Sequence, residues 1–269
     1  MSVATNTFGP LLREWRQRRR ISQLDLALDG NISARHLSFL ETGRARPSRD
    51  MVLHLADHLE VPLRDRNILL TAAGFAPVFA ERPLDDPALE AARQAVELVI
   101  QGHAPYPALA VDRHWILVAA NDAVQMLLTG VDADLLRPPV NVMRVALHPA
   151  GLAPRIVNLP EWRNHLLERL RRQAEASADP MLVGLLDEVR GYPVPYAPRP
   201  PRPARDYAGI VLPFELATDA GVLAFFSTIT VFGTPVDVTL SELALECFYP
   251  ADAATAEILQ RSGKVRSER

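Results

Sequence analysis

Hydrophobic positions in the first part of the chain recur at helical spacing in short runs, each bounded by a capping residue and a turn signal. Ser22 is an N-cap for a helix in which Leu24, Ala27 and Leu28 are spaced as an inward stripe. Asp29-Gly30-Asn31 breaks that helix, since Gly and Asn both accept the left-handed conformation of a sharp turn. Ser33 caps the next helix, where Leu37 and Leu40 face inward and Ala34, Arg35, Ser38 and Phe39 face outward. Gly43 sits where a helix C′ residue belongs, and Pro47 stops the helix. Ser48 to Leu59 reads as a fourth helix, with Met51, Leu53, Leu55 and Ala56 as its main apolar positions. Val61-Pro62 interrupts it, and Leu63 to Ala73 gives a fifth helix ending at Gly74.

The pattern then changes. Pro77 and Pro83 mark a linker, and Asp86 to Gln101 reads as an amphipathic connecting helix that pairs with its copy in a dimer. Ala108 to Asp112 and Trp115 to Ala120 read as strands around a turn at Asp112-Arg113. Helical patterns follow over Asn121 to Leu128, Val140 to Leu147, Pro160 to Ala176 and Pro180 to Val189. Pro193 to Arg205 is proline-rich and reads as an extended loop. Gly209 to Leu216 and Gly221 to Phe232 are β-rich around the turn signal Thr218-Asp219-Ala220-Gly221, and a helix from Ala251 to Arg261 closes the ordered chain. The expected fold is two domains: an all-α five-helix bundle over residues 1–77, and an α+β domain over 104–262 with an antiparallel sheet covered on one side. Residues 78–103 are the linker and connecting helix, and 263–269 a tail.

Residues 8 to 76 resemble the phage-repressor or XRE type of helix-turn-helix. The resemblance rests on Gln23 and Ala27, on Ser33, Leu37 and Ser38, and on Leu40-Glu41-Thr42-Gly43-Arg44 with Pro47-Ser48; Asn31 stands where the turn usually has glycine. It implies that the third helix enters the major groove of an operator duplex and that its early outward residues read base edges. Arg35 and Ala34 are then the leading base contacts, with Ser38 and Phe39 behind them and Ser33 at the cap. Gln23, Arg44 and Arg46 would touch phosphate.

The second half is similar to the MmyB-like ligand-binding domain, through Val118-Ala119-Ala120-Asn121-Asp122-Ala123, Asn141-Val142-Met143-Arg144, His148-Pro149 and the segment from Phe225 to Pro250. That resemblance implies a PAS-like domain accompanying an XRE-type head in a bacterial transcription regulator, with fatty acids as the ligand class. An anchor near Arg144, with Asn141 and His148, would hold a ligand carboxylate through paired charge-assisted hydrogen bonds. Alternatively, Arg144 pairs with an acidic side chain and braces the fold. Trp115, Met126, Met143, Phe214, Phe225 and Phe226 either line an apolar cavity or form plain core.

Charge supports contact with nucleic acid by one end. Residues 1 to 75 hold 11 arginines against 8 acidic residues, while the whole chain of 269 residues carries −3. Cys247 is the only cysteine, so a disulfide within the chain and a Cys-based zinc finger are both excluded. His54 and His58 have the spacing of a zinc-binding helix, but Leu55 stands where the metalloprotease motif needs Glu. Glycines never fall into GxGxxG, GxSxG or P-loop order. The expected protein is a cytoplasmic, non-enzymatic, homodimeric regulator that binds a double-stranded operator and a small apolar, fatty-acid-like ligand, with no cofactor, metal or membrane. The alternative is a C-terminal domain that only dimerises or recruits a partner protein; a third class is an enzyme tethered to DNA.

Overall fold

The computed structural model describes residues 7–177, 179–194, 212–233, 235 and 237–267, with side chains through residue 261. The chain forms two compact units, one from the described residues of 1–83 and 234–241, the other from those of 84–233 and 242–269.

The first unit opens with five helices: α1 (Phe8–Arg18), α2 (Gln23–Asp29), α3 (Ala34–Glu41), α4 (Arg49–His58) and α5 (Leu63–Ala72). Ser22, Ser33 and Ser48 cap α2, α3 and α4, each hydroxyl accepting a backbone N–H three residues on. Asn31 takes φ +49° and Gly43 φ +72°, the left-handed conformations expected of a turn and a C′ residue. Leu12, Leu26, Leu37, Leu40, Leu55 and Leu70 are fully buried at the centre. Gly9 lets α1 lie on α3, because a Cβ there would stand 2.6 Å from the carbonyl oxygens of Leu40 and Glu41.

The α2 stripe differs from the expected one. Leu26 and Ala27 face the core, whereas Leu24 and Leu28 are 60% and 68% exposed. In a seven-residue helix the sets 24/27/28 and 23/26/27/30 both satisfy helical spacing, so periodicity does not choose between them. Packing against α3 and α4 does.

The second unit begins with α6 (Glu90–Gly102), then β1 (Ala108–Val111), β2 (Leu117–Ala120), α7 (Val124–Leu127), α8 (Val142–Leu147), α9 (Leu159–Ser177) and α10 (Pro180–Arg190). A hairpin of β3 (Phe214–Thr218) and β4 (Gly221–Thr230) follows. Past α11 (Val238–Ser241) come β5 (Ala244–Pro250) and α12 (Ala253–Ser267), which runs beyond the expected end at Arg261. The proline-rich stretch expected to be a loop lies largely outside the described residues, as does the start of the β-rich segment at Gly209.

The five strands form one antiparallel sheet in the order β2-β1-β5-β4-β3. β5, which the sequence pattern did not reveal, is its central strand. In register, Leu109 faces Glu246 and Ser227 faces Phe248, so Leu109, Glu246 and Phe248 share one face of the sheet. That face carries the main core, with Met143, Trp162, Leu166 and Phe225. The other face carries Ala108, Ala110, Leu245 and Cys247, all buried, and α6 packs on β1, β2 and β5 through a side that buries Val96 and Ile100. The sheet is thus covered on both faces rather than one, and α6 is an integral layer of the second unit. Asn121 fastens this layer, accepting from the Ala108 amide and donating to the carbonyls of Ile100 and Tyr106.

Between β4 and β5 the chain contributes a second segment to the first unit. Asp237 pairs with Ala80 in a parallel bridge, and its buried carboxylate accepts from Arg82 at 3.0 Å and caps α11 through the Thr239 amide. Thr239 donates its hydroxyl to the Arg82 carbonyl, and α11 packs on α5.

Candidate functional site

The first candidate surface is α3. Its inward side buries Leu37 and Leu40, which leaves Ala34 and Arg35 exposed, with Ser38 and Phe39 half-buried beside them. The Arg35 guanidinium lies 5.3 Å from the centre of the Phe39 ring, one turn on, so the aromatic face restricts how the arginine extends. Arg44 and Arg46 are exposed beyond the C-terminus of α3. The Ser33 hydroxyl is occupied as the N-cap, accepting from the His36 amide.

Gln23 does something the sequence did not signal. Its amide donates to Glu41 Oε2 at 2.7 Å. Glu41 also receives Arg16 through Nε at 2.6 Å and Nη2 at 2.9 Å, and Arg16 donates to the Ile21 carbonyl as well. This buried network ties α1, α2 and α3 together, fixing the angle at which α3 is presented. Arg19, in the basic run after α1, donates to the carbonyls of Leu59 and Glu60. His54 contacts the Gly30 carbonyl through Nε2 and meets His58 edge-on. Among the described residues no group of three or more His, Cys, Asp or Glu is placed to hold a metal ion.

The second candidate is a cavity of about 100 Å³ within the second unit, between the sheet face and α7, α8 and α9. Trp115, Met143 and Phe214 line it, joined by Leu109, Leu166 and Phe248. Trp115 reaches it from a tight turn. Asp112 Oδ1 accepts the amides of His114 and Ile116, and Trp115 between them takes φ +66°. Its indole N–H donates to Gln173 at 2.8 Å, leaving an apolar ring face for the cavity.

The other expected ligand residues stand elsewhere. Arg144 is bound to Glu188 and does not line the cavity. Asn141 is buried as the N-cap of α8, its amide donating to the His114 carbonyl. His148 Nδ1 accepts the Ala150 amide, and its ring meets Tyr192 edge-on. Met126 is partly buried against the core without lining the cavity, and Phe225 is solid core. Phe226 stacks on Tyr249, its register partner.

Among the described residues the one polar side chain in the lining is Glu246, on the unforeseen strand β5. Arg169 Nη1 donates to its Oε2 at 3.1 Å, and the Arg169 guanidinium lies 4.3 Å over the Trp115 ring. Burial, then the charge of Arg169, pushes the neighbouring His165 imidazole down. The alternation Leu245, Cys247, Tyr249 against Glu246 and Phe248 was the available signal for β5.

Comparison with known proteins adds two family matches. Residues 92–261 match the MmyB-like transcription regulator ligand binding domain, and residues 12–65 match a helix-turn-helix family. No curated protein matches the chain. Among solved structures, one titled "Structure of an RNA-binding Light-Oxygen-Voltage Receptor" aligns at 13% identity and a TM-score of 0.30, over 99% of this chain and 63% of that one, a likeness too low to carry structural meaning.

Proposed function

The chain belongs to the MmyB-like transcription regulators, and on that premise we propose a one-component bacterial regulator whose operator binding is modulated by a small, largely apolar effector in the second unit. Both matched families are regulator domains, so the chain is a DNA-binding transcription regulator with a ligand-binding domain. The finer reading is that it acts in the cytoplasm by binding rather than catalysis. Its second unit is a PAS-like sensor, and the effector is fatty-acid-like in its hydrocarbon part.

The observation that carries this reading is the apolar cavity inside the matched ligand-binding domain. An effector filling it gains burial free energy of about 0.8 kcal/mol per CH₂. It alters DNA affinity only if it favours one arrangement of the chain over another. At about 100 Å³ the cavity is smaller than the roughly 150 Å³ engineered cavity that accepts benzene. Short hydrocarbon groups therefore fit without expansion.

On DNA, Arg35 and Ala34 are assigned to base edges, with Ser38 and Phe39 beside them, and Arg44 and Arg46 to phosphate. Ser33 and Gln23 support α3 from behind. A homodimer is part of the proposal, supported by the outer side of α6, where Leu98 is 75% exposed. That same exposure is what favours the second reading, a C-terminal domain serving only as an interaction module.

The test is native mass spectrometry of the purified protein, followed by operator binding with and without the released ligand. A dimer carrying a small apolar molecule that changes operator affinity is the expected result. A ligand-free monomer, both alone and on operator DNA, whose melting no apolar compound shifts would overturn it.

A further inference from the structure

Among the described residues every cavity-lining side chain is apolar except Glu246. Its side chain is only 8% exposed, and among the described residues a single donor reaches it, Arg169 Nη1 on Oε2. A carboxylate accepts about four hydrogen bonds, so Glu246 retains acceptor capacity for a donor placed in the cavity. We propose that Glu246 is the polar contact of the effector, and that the effector is a short apolar molecule headed by a neutral hydrogen-bond donor, a primary alcohol or primary amide, rather than a free carboxylic acid. This inference rests on the reading that the cavity is the effector site.

Three observations select a neutral donor. First, the charge of Glu246 is already balanced by Arg169. A ligand carboxylate would bring a second negative charge into an apolar space beside the first, and an ammonium would bring a second positive charge beside Arg169. A hydroxyl or amide adds no net charge and donates into the free acceptor capacity. Second, Arg169 is held over Trp115, with its charge fixed above the cavity wall rather than projecting into the lining. Third, Arg144, the cation expected to receive an acid head group, is committed to both oxygens of Glu188 and lies off the cavity. The volume sets the length: a space smaller than the one that takes six-carbon benzene holds a chain of fewer than about six carbons without expansion.

The experiment uses the full chain and matched probes, the 1-alkanols, primary alkanamides and alkanoates of four to eight carbons, titrated by calorimetry at pH 7. The wild type is compared with Glu246→Gln and with Val145→Phe, which fills the cavity. Alcohols or amides binding at least tenfold tighter than alkanoates of equal carbon number, with Glu246→Gln shrinking that ratio about tenfold, is the expected outcome. Alkanoates binding as tightly as their alcohols, or a ratio unchanged in Glu246→Gln, would overturn the assignment to Glu246 while leaving the cavity as the effector site. Binding that survives Val145→Phe, or no binding by any series, would overturn the cavity reading itself. If Glu246→Gln does not fold with Arg169 left unbalanced, Arg169→Gln/Glu246→Gln carries the same readout.

Discussion

Arg144 donates to both carboxylate oxygens of Glu188, through Nε at 2.8 Å and Nη2 at 2.7 Å, and so joins α8 to α10. Both side chains are more than a third exposed, so solvent screens the pair and removing Arg144 costs about 0.5 kcal/mol. The guanidinium holds the Glu188 carboxyl below its ordinary range. A carboxyl with a lowered folded pKa contributes stability that is full above its unfolded value and is lost as pH falls through the folded one. Arg144→Ala should therefore reduce stability slightly at pH 7, flatten the acid limb of the stability profile, and leave alcohol binding in the cavity unchanged. Urea denaturation at pH 7 and pH 3 checks the first two.

Tyr192 donates to the same carboxylate. Burial, then that bond, pushes its phenol up to about 12 from 10.0. Its contribution is full below the unfolded value and is lost as pH rises through about 12. In an ultraviolet titration of the five tyrosines, one should ionise late, and Tyr192→Phe should remove that phase.

The Arg16–Glu41 pair is a different case, since Glu41 is 1% exposed at the side chain. Glu41→Ala strands a buried guanidinium and should cost about 3–5 kcal/mol in the first unit. Arg16→Met/Glu41→Leu, which removes both charges, should recover most of that loss. Calorimetric melting of the three proteins distinguishes these outcomes.

On the operator, Arg35→Ala should lose about 1–3 kcal/mol if the arginine makes a paired base contact. Phe39→Ala should lose about 0.5–1 kcal/mol by freeing Arg35 from the ring. Arg44→Ala should weaken all sequences alike and lower the salt slope by about 0.9. Fluorescence anisotropy across a salt series reads all three. Full operator affinity in a folded Arg35→Ala protein would remove it as a base reader.

Burial, then the charge of Glu246, raises the Cys247 thiol above its ordinary value. Iodoacetamide at pH 7.5 should leave the native protein unmodified and label it in urea; rapid native labelling would contradict the strand position of Cys247.

Legibility in the sequence followed the range of the interactions. The three serine caps, Asn31 and Gly43 act within a few residues of themselves, and each stands where local pattern places it. Leu24 and Leu28 point outward because packing against α3 and α4, elements outside the helix's own repeat, claims the other side of α2. Arg144 offered two outcomes because its partner is 44 residues away. β5 escaped because seven residues with an acid at the third position make a weak alternation, and its partner β1 lies far away in the chain. With the strand went Glu246, among the described residues the one polar side chain of the cavity.

The segment carrying Asp237 makes the chain cross between its two units three times, after residues 83, 233 and 241. Such a protein cannot be exchanged as cassettes. A head transplanted onto another sensor by a junction at residue 83 arrives without Asp237, leaving the Arg82 guanidinium and the Ala80 bridge without their counterparts. A transplant that keeps the head's ion pair therefore has to carry the segment around Asp237 along with Arg82, although 155 residues separate them.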